Sequence, residues 1–144
     1  MLHNINININ RGGKMTEVSL KFPEYFPPEC PPSDAYKEEL EVYRYCEKAD
    51  VILPSDFISY YQMNPNKYKN VTIAYGLSVM LDKEDCLKGL KLPAIRKKFK
   101  NFAKGTTYIN TGVIKRTPNK KSKSHCTWWI YEGVHPETYF ILEN

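Results

Sequence analysis

The feature that most constrains the fold is a cluster of five prolines within ten residues, Pro23, Pro27, Pro28, Pro31 and Pro32. Proline has no backbone N–H and holds φ at about −65°, so such a segment cannot lie inside a helix or a sheet. We predict that residues 22–32 run over the surface as an extended arm with its aromatic side chains turned inward. The regular elements must then come from the chain on either side.

Alternating or continuous apolar residues predict strands over residues 17–22, 42–46, 71–81, 106–116 and 125–131. The run at 71–81 is the most continuous, which is typical of a central strand. The last two strands are predicted to be joined by the polar loop 117–124, and residues 134–144 to form a turn and a short apolar segment.

Capping residues and spacing predict short helices over residues 33–40, 53–65, 83–92 and 93–103. Their expected starts are Ser33 or Asp34, Ser55 or Asp56, Asp82 and Pro93. In the last helix Ile95, Phe99 and Phe102 form an apolar stripe. Strands mostly adjacent in sequence, with a few short helices, predict an α+β fold: one domain with a mainly antiparallel sheet packed by three or four helices.

The first fourteen residues have the pattern of a translated leader. Asn and Ile alternate up to Asn10, and Arg-Gly-Gly-Lys at 11–14 precedes a second methionine, Met15. That tetrapeptide can be encoded by a purine-rich ribosome-binding sequence, and Asn-Ile repeats are typical of AT-rich DNA from a bacterium or its phage. We expect residues 1–14 to be a leader or a disordered extension and residues 15–144 to be the single globular domain.

The remaining composition narrows the class of protein. In 144 residues no apolar run reaches the roughly 18 that a membrane span needs, so we expect a soluble cytoplasmic protein with no membrane partner. Its four cysteines form no Cys-x-x-Cys pair and its three histidines are far apart, so neither a metal site nor a cofactor is expected.

Charge is segregated along the chain. Residues 1–85 hold 9 basic and 13 acidic residues, whereas residues 86–131 hold 12 basic residues and no acidic one. The cations come from two segments, and the residues predicted to contact phosphates are Arg96, Lys97, Lys100, Lys120, Lys121 and Lys123. Such cations attract polyanions, which makes nucleic acid or a nucleotide the expected partner. Solvated surface lysines are the alternative interpretation.

The strand after the lysine-rich loop presents the second candidate feature. With a period of two, His125, Thr127, Trp129 and Tyr131 share one face, and Cys126, Trp128 and Ile130 the other. The second set is core-like. The first set is either a covered core face or, if open, a ligand-binding surface with an imidazole and two aromatic rings.

Two enzyme families can be compared with these residues. His125-x-Thr127 has the form of half of the two-histidine phosphoesterase signature, but no second half exists, which disfavours that family. Arg44 on an early strand, Ser78 in "YGLS" and a late acid, Glu132 or Glu137, resemble the site of small ADP-ribosyltransferase-like domains. That resemblance implies a nucleotide-processing enzyme.

Three functions therefore remain open from the sequence. The first is a protein whose basic, aromatic-lined surface binds nucleic acid or nucleotide phosphate. The second is the small nucleotide-processing enzyme. The third is a protein-interaction module, such as a phage-borne inhibitor, that uses the aromatic and proline-rich arm to bind a protein partner. The oligomeric state is left open.

Overall fold

The computed structural model describes residues 5–9 and 15–143. Within them the strands are β1 (Ile5–Ile9), β2 (Met15–Ser19), β3 (Glu41–Cys46), β4 (Leu77–Met80), β5 (Asn101–Thr106), β6 (Gly112–Arg116), β7 (His125–Ile130) and β8 (Ile141–Leu142). The α-helices are α1 (Tyr60–Met63), α2 (Pro65–Tyr68), α3 (Lys83–Gly89) and α4 (Pro93–Arg96). Turns of 3₁₀ helix cover Pro54–Phe57, Thr72–Tyr75 and Pro136–Thr138.

Six strands form one sheet in the order β6-β7-β4-β3-β5-β8, and neighbouring strands are antiparallel throughout. β7 lies inside the sheet, where Trp128 is opposite Leu77 on one side and Ile114 on the other. β4 is central, as its apolar run predicted. The predicted α+β fold with a mainly antiparallel sheet is confirmed.

β1 and β2 form a separate two-stranded antiparallel sheet, with Ile5 opposite Ser19 and Ile9 opposite Met15. The predicted strand at 17–22 therefore begins and ends earlier in the chain. Residues 1–4 and 10–14 lie outside the described residues, so the interpretation of residues 1–14 as a leader stays a prediction.

The proline-rich arm covers one face of β7. Residues 20–40 contain turns and one isolated bridge, between Tyr36 and Ile114, rather than a strand or helix. Phe22, Phe26 and Cys30 of the arm pack with Trp129 in one apolar cluster. The arm turns Phe22 and Phe26 inward, as predicted, but Tyr25 is 42% exposed. Its backbone is not extended as predicted: Phe26 N–H donates to Pro23 O and Cys30 N–H to Pro27 O, each over 3.0 Å, which forms two turns.

The opposite face of β7 packs into the largest cluster of the core. Trp128 lies there with Val79 and Phe140, and its ring stacks on Phe140 with centroids 5.9 Å apart. Because both faces of β7 are covered, two adjacent tryptophans are fully buried in two different clusters.

The helix predicted over residues 33–40 is wrong. Tyr36 donates its backbone N–H to Ile114 O over 3.0 Å and accepts from Ile114 N–H over 2.8 Å. Pairing at the edge of the sheet takes up both groups that a helix would use in its own hydrogen bonds.

The helix predicted over residues 93–103 stops at Arg96, and Asn101 begins β5. Phe102 lies opposite Tyr45 on β3 and packs with Tyr43 in a buried cluster. Pairing with β3 has overridden the helical spacing of the three apolar residues, because tertiary packing outweighs intrinsic helix propensity.

Two predicted strands are shorter than expected. Residues Thr72–Tyr75 form a 3₁₀ turn, so the strand predicted over 71–81 begins only at Leu77. After β5, the Thr107 hydroxyl donates to Glu38 O over 2.7 Å and accepts from Leu40 N–H over 3.1 Å. These bonds hold the segment before β3, and the strand predicted over 106–116 begins only at Gly112.

The helix predicted after Asp82 is confirmed as α3, since the Asp82 side chain accepts the N–H of Glu84 over 3.0 Å. α3 approaches β3 closely: a Cβ on Gly89 would lie 2.0 Å from the Tyr45 hydroxyl. That hydroxyl donates to Cys86 O over 3.1 Å. No helix of the described residues is long and apolar enough to cross a membrane.

Replacing either tryptophan should destabilise the protein to a similar extent. Trp128→Ala and Trp129→Ala are each expected to cost about 3–5 kcal/mol in urea unfolding, because both side chains are 0% exposed. Ile109→Ala, at a residue that is 54% exposed, is the control and should change the free energy little. A loss under about 1 kcal/mol for Trp129→Ala would contradict the burial of that face.

Candidate functional site

A cavity of about 430 Å³ opens where β3, β4 and β7 meet the connecting segments. Its lining comes from these strands, from residues within 55–63 and 89–99, and from the lysine-rich loop at 119–122. One part of the lining is apolar, with Ile58, Met63, Leu92, Ile95 and Phe99. The volume lies within the range of small-molecule sites, about 300–1,000 Å³, and such sites combine an apolar wall with a few polar groups.

Arg44 is the central polar group of this lining. Its Nε donates to Asp56 O over 2.6 Å, Nη1 to Ser78 O over 2.8 Å and Nη2 to Ile58 O over 3.3 Å. A guanidinium carries five N–H groups, so two of them have no acceptor within the described part of the chain. Burial lowers the pKa of Arg44 to about 10, which still leaves the group charged at neutral pH.

No described carboxylate forms an ion pair with Arg44. The nearest candidate, Asp56, uses its two carboxylate oxygens to accept the backbone N–H groups of Glu47 over 3.0 Å and Leu53 over 2.8 Å. The positive charge beside the cavity is therefore held by neutral carbonyls. A guanidinium that no carboxylate binds directly keeps donors free for an anion, while the charge of Asp56 also acts on it.

Local capping holds the segment that supplies two of these carbonyls. Ser59 Oγ accepts the N–H of Gln62 over 3.2 Å, and Gln62 Oε1 accepts the N–H of Ser59 over 3.0 Å. This reciprocal pair is a capping box, and it starts α1. The cap of α1 is thus Ser59, and the predicted caps Ser55 and Asp56 are wrong. Asp56 instead accepts the backbone N–H groups of Glu47 and Leu53, which both precede the 3₁₀ turn.

The lysine-rich loop is tied to α3 by one carboxylate. Asp85 Oδ2 accepts from Ser122 Oγ over 2.9 Å, from Ser124 Oγ over 2.5 Å and from Ser124 N–H over 3.1 Å. Asn119 Oδ1 closes the turn by accepting the N–H groups of Lys121 and Ser122. The hydrogen bond from Ser124 is the main reason that the pKa of Asp85 lies below its usual value.

His125 borders the cavity at the start of β7. Its Nδ1 lies 2.9 Å from the carbonyl oxygen of Thr117 and 3.0 Å from the hydroxyl of the same residue. That hydroxyl is 2.8 Å from Thr127 Oγ1. Burial lowers the pKa of His125 below its usual value, and the Arg44 charge acts in the same direction, whereas the Thr117 carbonyl opposes them.

The rest of the predicted ligand-binding face is covered. Thr127, Trp129 and Tyr131 are 2%, 0% and 6% exposed, and Trp129 Nε1 donates to Thr72 O over 3.1 Å. Of the two alternatives for this face, the structure shows the covered core face for these three residues. Only His125 of the four borders the cavity.

The two basic segments meet at the cavity through one lysine each. Lys98 follows α4, Lys121 lies in the lysine-rich loop, and both border the cavity. The other predicted phosphate-binding residues, Arg96, Lys97, Lys100, Lys120 and Lys123, are exposed and do not line it. Lys100 Nζ instead donates to Arg96 O over 2.8 Å.

The residues of the ADP-ribosyltransferase resemblance come together in part. Arg44 and Ser78 border the same cavity and are hydrogen-bonded through the Ser78 carbonyl. Glu132 instead pairs with Lys21 over 3.6 Å, and Glu137 lies 3.4 Å from His135, so neither acid lines the cavity. Among the described residues no cluster of His, Cys, Asp or Glu could hold a metal ion, and all four cysteines are free and buried.

Comparison with known proteins returns no relative. No family model matches the chain, and no curated protein or solved structure matches it significantly. The geometry of the cavity therefore carries the functional inference by itself.

Several lining residues could not be identified from the sequence. Asp85 and Ser122 have no separate signal in it, and the apolar wall combines residues from α1 with residues near α4. Arg44 entered only through the resemblance. A buried arginine can be suspected where a single Arg interrupts an apolar strand, as in Val42-Tyr43-Arg44-Tyr45-Cys46.

Asp85→Asn should loosen the lysine-rich loop without unfolding the sheet. The neutral amide accepts the three hydrogen bonds less strongly than a carboxylate, so the backbone amide of Ser124 should exchange its hydrogen faster. Asp82→Asn is the matched control, because asparagine also caps helices well. Equal exchange at Ser124 in wild type and Asp85→Asn would show that the carboxylate does not hold the loop.

Proposed function

We propose that this protein binds a nucleotide or a similar phosphate-bearing small molecule in the cavity beside Arg44. The observation that carries the proposal is the guanidinium, which has two N–H groups without a described acceptor and no carboxylate partner. A phosphate oxygen accepts from such a group in the way that a carboxylate does, with charge-assisted hydrogen bonds.

The remaining lining supports an organic phosphate over a free phosphate ion. The cavity of about 430 Å³ is many times the roughly 30 Å³ share of one water molecule, so a small ion alone would leave it mostly filled with solvent. Phe99, Ile95 and Leu92 supply an apolar wall against which a base or another flat ring can pack. Lys98 and Lys121 add positive charge at the same cavity.

Nucleic acid remains within this proposal as a source of the phosphate group. The end of a nucleic-acid strand could place one nucleotide in the cavity, with exposed Lys97, Lys120 and Lys123 near the following phosphates. Stacking on Trp129 or Tyr131 does not support this mode, since both rings are buried.

Two other functions have less support. The enzyme suggested by the ADP-ribosyltransferase resemblance has Arg44 and Ser78 at the cavity, but Glu132 and Glu137 lie elsewhere. A protein-interaction role for the arm has less free surface than its composition suggests, because Phe22 and Phe26 pack against the body of the protein.

Lysines at the cavity should matter more for nucleotide binding than their sequence neighbours. We expect Lys98→Gln and Lys121→Gln each to weaken the binding of adenosine 5′-diphosphate by about three- to tenfold at low salt, because each removes one charge that faces the phosphates. Isothermal titration calorimetry measures this directly.

Lys97→Gln and Lys120→Gln are matched controls, since they remove the same charge one residue away and outside the cavity lining. They should change the dissociation constant less than about twofold, because salt screens exposed charges that lie away from the ligand. Equal losses for all four variants would favour diffuse polyanion attraction and refute a cavity site. An absence of measurable binding by the wild type would also refute it.

A further inference from the structure

The two ring nitrogens of His125 have different surroundings. Nδ1 lies 2.9 Å from the Thr117 carbonyl, and a carbonyl oxygen can only accept a hydrogen bond. This contact favours the tautomer with the proton on Nδ1, and the Thr117 hydroxyl 3.0 Å away can accept as well as donate. In a neutral imidazole the proton on Nδ1 leaves Nε2 with a free lone pair.

Nε2 has no hydrogen-bond partner within the described part of the chain, and His125 borders the cavity. The Thr117 hydroxyl lies 3.0 Å from Nδ1 and 2.8 Å from Thr127 Oγ1, so this hydroxyl helps to hold the orientation of the ring. An imidazole with one nitrogen anchored to the backbone and the other free beside a ligand cavity has the arrangement of a general base.

We propose that His125 is a general base that activates water against a phosphate ester bound beside Arg44. The proposal rests on the function proposed above, because it needs the ester in the cavity. Arg44, Lys98 and Lys121 would then have a second role, which is to stabilise the additional negative charge that develops on the phosphoryl oxygens during attack.

The proposed step conserves atoms and charge. The water oxygen forms a bond to phosphorus while one water proton moves to Nε2, and the bond from phosphorus to the leaving oxygen breaks with its electron pair on that oxygen. A leaving group that is stable as an anion needs no proton. The imidazolium formed at His125 afterwards returns its proton to solvent or to the leaving oxygen.

The base has to be neutral to act, and its surroundings favour the neutral form. The pKa of His125 is below its usual value, first because of burial and further because of Arg44. The charged groups that border the same cavity are Arg44, Glu47, Asp56, Asp85, Lys98 and Lys121. The carboxylates of Asp56 and Asp85 are already occupied by hydrogen bonds from the protein.

The test uses thymidine 5′-monophosphate p-nitrophenyl ester, because p-nitrophenolate leaves without protonation and the deoxyribose has no 2′-hydroxyl to attack. Wild-type protein should release p-nitrophenolate, and kcat/KM should fall as the pH is lowered through a value below about 6.5, the usual histidine pKa. His125→Gln should lose about 100- to 10,000-fold of this activity, since glutamine cannot take up the proton.

Binding of the product, thymidine 5′-monophosphate, separates this inference from the proposed function. If the wild type binds the product but does not hydrolyse the ester, or if His125→Gln is as active as wild type, the general base is refuted and the binding site stands. If the product does not bind at all, both proposals fail. His135→Gln, at an exposed histidine outside the cavity, is the control and should keep full activity.

Because His125 is partly buried, the variant could lose its fold, and the wild type provides a second measurement. Nitrogen-15 chemical shifts of the imidazole should show Nδ1 protonated and Nε2 unprotonated at pH 7, with titration below about 6.5. A proton on Nε2 at pH 7 would overturn the proposal without any substitution.

Discussion

The arrangement of the sheet around the cavity depends on the guanidinium of Arg44. β3 and β4 are in register at Tyr43 and Met80, and the ladder does not continue to the level of Tyr45 and Ser78. There Arg44 Nη1 donates to Ser78 O, and the same group bonds to Asp56 O and Ile58 O. One side chain thus replaces part of a backbone ladder and joins two strands to the segment before α1. A half-buried cation is costly without partners, so the charge of Arg44 depends on these three carbonyls.

The coverage of both faces of β7 places the candidate site at one end of that strand. The arm and Tyr75 enclose Trp129, and Phe140 encloses Trp128 from the other side. His125, at the first position of the strand, extends past this coverage to the cavity. The lysine-rich loop precedes His125 in the chain and is held by Asp85, so Lys121 and Arg44 border the same cavity. The same strand therefore supplies both a residue at the cavity and two core residues. His125 lies at its first position, where the covering side chains end, and Trp128 and Trp129 lie further along it.

Sequence patterns alone predicted those elements in which the local backbone preference agrees with the packing in the folded protein. The α+β class, the central strand β4, the β7 alternation and the inward packing of the arm's two phenylalanines follow from proline chemistry and apolar periodicity, and the structure has all four. The separation of charge also follows from the sequence. Each of the two basic segments contributes one lysine to the lining of the cavity.

Tertiary structure decided what depends on distant partners. Glu- and Lys-rich residues 33–40 favour a helix locally, yet Tyr36 pairs with Ile114, and Phe102 follows β3 into the sheet instead of a helix. Whether the His125-to-Tyr131 face is open could not be known, because a period of two assigns residues to a face but not the cover that lies on it. The role of Arg44 depends on three carbonyls that lie between 12 and 34 residues away in sequence. Local patterns carry propensity and alternation, whereas burial and hydrogen-bond partners are properties of the folded chain.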